Sequence, residues 1–63
     1  MQIFIKELRE KAGIGLNELA RRSDVAAGYI SDLETGKKTN IGIVTLCKIA
    51  NVLDVDVSDL FDC

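Results

Sequence analysis

Residues 16–36 read LNELARRSDVAAGYISDLETG. Apolar positions recur at three- and four-residue spacing on either side of Ser23 and Asp24, so the segment reads as two short helices joined by a tight turn. The first turns Leu19 and Ala20 inward, and the second buries Ala26, Ile30 and Leu33. Asp24 is the turn residue: its short polar side chain tolerates a left-handed backbone, which Gly adopts best and Asn or Asp next. Ala20 is small because the second helix crosses close over it. With the turn residue four positions after Ala20 and Ile30 ten after, the second helix is held at a fixed angle with its far side outward.

The rest of the chain must supply a core for this unit. Its 63 residues suit one domain, residues 1–63, near the lower size for independent folding. Stability should be modest, about 3–5 kcal/mol. A hydrophobic content of 48% indicates a packed globule rather than a disordered tail. No apolar run reaches the ~20 residues that span a bilayer. Charges follow Ile3, Phe4 and Ile5 at once, so a signal peptide is not expected. The expected location is the cytoplasm, with Cys47 and Cys63 as reduced thiols. Cys47 reads as a small buried hydrophobe and Cys63 as a free exposed thiol.

Helix one is expected over residues 2–12, with Met1, Ile5, Leu8 and Ala12 as its buried stripe. Lys6 with Glu10, and Glu7 with Lys11, are i,i+4 pairs on its wet side, and Gly13 ends it. Phe4 falls off the stripe and is placed over the core edge or the C-terminus. Helix two starts near Leu16 behind Gly15, with Ile14 and Leu19 as a hydrophobic staple. Helix three spans residues 27–35 and stops at Gly36. Helix four spans residues 43–53, with Ile43, Leu46, Ala50 and Leu53 inward and Cys47 and Ile49 on the flanks. A last short helix is expected behind Asp56, capped reciprocally with Asp59. Leu60 and Phe61 then close the core.

Charge is unevenly spread. The net charge is −2, yet residues 1–38 hold seven Lys/Arg against six Asp/Glu, and residues 39–63 hold Lys48 against Asp54, Asp56, Asp59 and Asp62. Any electropositive face therefore lies in the first two thirds. Between helices three and four, Lys37, Lys38, Thr39 and Asn40 offer flexible cations and hydrogen-bond donors suited to phosphate oxygens. Arg21 and Arg22 sit at the negative end of helix two, as a solvated face or as phosphate ligands. The chain has no His, its cysteines lack ligand spacing, and the four late aspartates fit neither an EF-hand nor a catalytic pair. A metal site, a cofactor, a small-molecule ligand and an enzymatic activity are not expected.

Taken in order, ELREKAGI, NELA, the V-x4-IS-x-LE-x-G run from Val25 to Gly36, and LCKIANVLDVDVSDLF resemble the Cro/lambda-repressor-like (XRE) helix-turn-helix family of bacterial and phage transcriptional regulators. The resemblance covers nearly the whole chain. It implies an all-α, compact five-helix domain with its helix-turn-helix unit at about residues 16–35. It also implies an ion pair between Arg9 and Glu34, tying helix one to helix three.

The resemblance further implies a homodimer on a near-palindromic double-stranded DNA operator, with Ala27–Thr35 in the major groove. Ala27, Gly28, Ser31 and Asp32 are then the base-facing positions. Leu16, Asn17, Tyr29, Lys37, Lys38 and Thr39 are the positions toward the DNA backbone. The sequence departs from the family where helix two opens on Gly15-Leu16 and helix three on Ala26-Ala27-Gly28. Leu16 offers a phosphate only its amide, Ala27 packs only on a thymine methyl, Gly28 reads nothing, and Asp32 can accept from a cytosine amino group. The expected dimer surface is Val52, Val57 and Phe61. The alternative is a protein-interaction module of the same fold with weak or lost DNA readout, suggested by the acidic balance and by Phe4, Val44 and Val57.

Overall fold

Four left-handed residues punctuate the chain: Gly13 at φ 73°, Asp24 at φ 59°, Gly36 at φ 83° and Asp54 at φ 57°. Each follows a helix. The computed structural model describes residues 2–62; Met1, expected on the first helical stripe, and Cys63, expected as a free thiol, lie outside them. The helices are α1 (Ile5–Lys11), α2 (Leu16–Ser23), α3 (Ala27–Thr35) and α4 (Ile43–Leu53).

At Gly13 the reversal closes as the Gly13 amide donates to the Glu10 carbonyl and the Ile14 amide to the Arg9 carbonyl, both at 3.0 Å. This is the paired hydrogen bonding that a left-handed residue after a helix permits. At Asp24 and Asp54 the following valine amides close the turns, Val25 onto Ala20 at 3.2 Å and Val55 onto Ala50 at 3.1 Å.

Ile5, Leu19, Ile30, Ile49 and Leu60 are fully buried, and Leu33, Leu46, Ala50 and Leu53 complete the core. The centre is α2, which packs against both α3 and α4, while α1 packs on α3. Ile14, Val25 and Val55, each preceding a helix or turn, pack against this core from the side. Ser23 is the buried polar residue, and its hydroxyl donates back to the Leu19 carbonyl at 2.6 Å.

The expected five helices are four. The last turn, Val57–Asp59, is a single turn of 3₁₀ helix. Asp56 and Asp59 cap it as expected, with the Asp56 amide donating to Asp59 Oδ2 at 3.2 Å. It goes no further because the next residues are strand: Phe61–Asp62 (β2) pairs antiparallel with Gln2–Ile3 (β1), Gln2 opposite Asp62 and Ile3 opposite Phe61. The same pairing holds residues 2 and 3 extended, so α1 begins at Ile5 rather than at residue 2. Phe4 sits at the junction, half-buried, its amide donating to the Leu60 carbonyl at 2.8 Å.

Other expectations shift with the helix phase. On α4 the buried stripe is Leu46, Ile49, Ala50 and Leu53. Ile43, expected inside, is 64% exposed, because the first turn of α4 projects past its neighbours. Cys47, expected buried, is exposed on the same outer side. Ala26 is exposed because it is the residue before α3 rather than a member of its buried face, and Ala12 is exposed because α1 has ended. Among the described residues the pairs Lys6–Glu10 and Glu7–Lys11 do not form; the ion pairs there are Arg9–Glu34 and Arg22–Glu18. An exposed pair gains little from holding two long side chains together, so such pairs form at some sites and not at others.

Candidate nucleic-acid interface

With Ile30 and Leu33 in the core, the opposite face of α3 is fixed by helical geometry. It carries Gly28, Ser31, Asp32 and Thr35. Gly28 and Thr35 are exposed, while Ser31 and Asp32 are half-buried. Ala27 and Tyr29 flank this face, both half-buried. Thr35 was not singled out from the sequence, although it lies one helical repeat beyond Gly28 and Ser31. Its hydroxyl turns back to donate to the Ser31 carbonyl at 3.0 Å.

No cation lies on α3 itself. Two lysines, Lys37 and Lys38, come from the loop that follows. The Lys38 amide donates to the Asp32 carbonyl at 3.0 Å, which folds the loop back beneath the end of α3. The Lys38 ammonium then lies 5.1 Å from the centre of the Tyr29 ring, a cation–π distance. Lys37 is exposed beside it. Thr39 is exposed and also lines a shallow groove with Gln2, Ile3, Glu7 and Gly36.

At α2, Leu16 is half-buried against the core, so its side chain is committed to packing, and Asn17 is exposed. Gly15 supplies no side-chain cap, and the amides of Leu16 and Asn17 have no backbone acceptor among the described residues. These are free donors at the positive end of a helix.

An ion pair ties α3 to α1. Arg9 grips Glu34 with two hydrogen bonds, Nε to Oε2 at 2.8 Å and Nη2 to Oε1 at 3.1 Å. Its third nitrogen, Nη1, donates to the Ile14 carbonyl at 3.1 Å. Hydrogen bonding to the Glu34 carboxylate is the main reason that Arg9 holds its proton above the usual arginine value. The acidic segment, in contrast, packs on α4 and β1, while Gly28 and Thr35 on the outer face of α3 stay exposed. Val52, Val57 and Phe61 are half-buried against the core, whereas Ile43 and Val44, at 64% and 65% exposure, are the large apolar side chains that protrude. Among the described residues no group of three His, Cys, Asp or Glu side chains could hold a metal ion, and no helix is long and apolar enough to cross a membrane.

The helix-turn-helix family model matches residues 5–60, which takes in every helix and the 3₁₀ turn. The chain belongs to the helix-turn-helix family of the Cro/lambda-repressor type. Its relatives are transcriptional regulators, not enzymes. The HTH-type transcriptional regulator SinR of Bacillus subtilis (strain 168) is 43% identical over 58 residues, which are 92% of this chain and 52% of that regulator. The chain thus spans about half the length of that relative. A crystal structure of SinR, the master regulator for biofilm formation, in complex with DNA matches this helix-turn-helix with a TM-score of 0.88 and 43% identity, covering 92% of each chain. The restriction-modification controller protein C.AhdI from Aeromonas hydrophila matches with a TM-score of 0.83 and 32% identity, over 90% of this chain and 85% of that one.

Proposed function

We propose that this chain is a transcriptional regulator that binds duplex DNA as a homodimer in the cytoplasm, with α3 lying in the major groove. The observation that carries the reading is the close match, over 92% of both chains, to SinR in complex with DNA. In this reading residues 1–63 act as one DNA-binding domain. Ala27, Gly28, Ser31 and Asp32 face the bases. Lys37, Lys38 and Thr39, with Tyr29 and the free amides at Leu16 and Asn17, meet phosphates. A helix without cations reads few bases, so operator shape and deformability add selectivity. Val52, Val57 and Phe61 form the surface between the two copies, which places the two α3 helices about one DNA turn apart.

The test is the salt dependence of binding. A labelled near-palindromic duplex, selected by the protein from a random pool, is titrated at about 50 and 200 mM salt. Each neutralised phosphate steepens the logarithmic slope by ~0.9, so affinity should fall steeply. Equal affinity at the two salt concentrations would remove the reading. A second reading is a protein-interaction module of this fold. The exposed Ile43 and Val44 favour it; it predicts no enriched duplex and one stoichiometric protein partner.

A further inference from the structure

Asp32 is the sole charge on the outward face of α3, and it is negative. Half-buried, its carboxylate takes part in no hydrogen bond or ion pair among the described residues. The cation best placed to neutralise it is held away: the Lys38 amide is bound to the Asp32 carbonyl, while the Lys38 ammonium rests over Tyr29. One helical turn before Asp32, Gly28 leaves open space, and a Cβ built there meets nothing within 4 Å. Ser31 borders the same space. The outward face thus sets an unpaired acceptor one turn from a position that carries no side chain.

We infer that Asp32 is the specificity-determining residue of the DNA reading proposed above, on which the inference rests, and that it selects a cytosine at one fixed position of each half-site. A carboxylate only accepts, so it needs a donor on the base edge. In the major groove thymine and guanine present acceptors, adenine presents an amino donor beside the N7 acceptor, and cytosine presents its amino donor alone. Adenine would therefore bring N7 against the carboxylate, and cytosine would not. Every other sequence leaves a desolvated carboxylate facing acceptors and phosphates, so Asp32 lowers binding to non-operator DNA as well as favouring the operator.

The experiment is selection of duplexes from a random pool by the full chain and by the Asp32→Ala and Asp32→Asn variants. Thermal melts confirm that all three fold. The unsubstituted chain should enrich cytosine about fivefold or more at one position in each half-site. Asp32→Ala should flatten that position and bind non-operator duplex more tightly than the parent. Asp32→Asn should move the preference to adenine, whose N6 and N7 suit an amide. If Asp32→Ala and the parent enrich the same sequences, Asp32 does not specify a base and the inference fails while DNA binding stands. If the parent enriches no duplex, the DNA reading itself fails and takes the inference with it.

Discussion

Arg9 on α1 and Glu34 on α3 are joined by two hydrogen bonds, at 2.8 and 3.1 Å, across 25 positions of sequence, with their side chains only 12% and 8% exposed. The planar fork of a guanidinium matches a carboxylate in this way, and an ammonium does not. Removing one partner strands the other charge at low exposure and should cost about 3–5 kcal/mol. That is comparable to the whole stability expected of so small a domain. Arg9→Ala and Glu34→Ala should therefore be largely unfolded at room temperature by circular dichroism. Replacing both residues with apolar side chains of similar volume should recover much of the loss, because the stranded charge is gone.

The pH behaviour follows from the direction of the Arg9 shift. Its folded-state value is raised, chiefly by the hydrogen bonds that Arg9 donates to Glu34. A raised base contributes stability that is fully present below its unfolded value and is lost only as pH rises through the folded one. Both lie well to the alkaline side of the pH range tested. Urea midpoints should therefore show no loss attributable to Arg9 between about pH 6 and 10.

Asp24 and Asp54 hold left-handed conformations at φ 59° and 57°. Asn should be tolerated at either site. Val, whose branched Cβ is crowded there, should destabilise by about 1–2 kcal/mol at each site. Denaturant melts of Asp24→Val and Asp54→Val measure this. The two losses should add, since the residues close different helices.

Gly28→Ala separates stability from recognition. The position is helical and the added methyl meets nothing. The fold should gain about 0.5–1 kcal/mol in a thermal melt. Operator preference should weaken, because the methyl enters the space beside Asp32.

Lys37→Ala and Lys38→Ala together should weaken binding to all duplexes alike and reduce the logarithmic salt slope by ~2, about one unit per lost phosphate contact. Lys38→Ala also removes the contact with Tyr29, and should cost about 0.5–1 kcal/mol of stability at this partly exposed position.

What was legible in the sequence was local. The limits of α2, α3 and α4, the reversal at Asp24 and the stops at Gly13 and Gly36 follow from apolar spacing and from residues that accept a left-handed backbone. What was not legible depends on residues far apart in the chain. Phe4 falls off the helical stripe, but local spacing does not reveal that residues 2 and 3 pair with residues 61 and 62; hence the sequence places the start of the first helix at residue 2 and a short helix where a single 3₁₀ turn stands. On α4, Ile43 and Ile49 both suit an inward stripe. Only the position of the neighbouring helices decides that Ile49 is buried and Ile43 is not. The outward residues of α3 were mostly readable from helical period. The folding of Lys38 back over Tyr29 required the loop path itself.

The central claim is that the outer face of α3 and the loop behind it meet DNA. Amide chemical shifts of the isotopically labelled chain, followed as an enriched duplex is added, test it most directly. The amides of residues 27–32 and 37–39, with Leu16 and Asn17, should move together and saturate, while those of residues 54–60 shift far less. Large shifts confined to the acidic segment and the exposed end of α4, with the α3 amides unmoved, would contradict it.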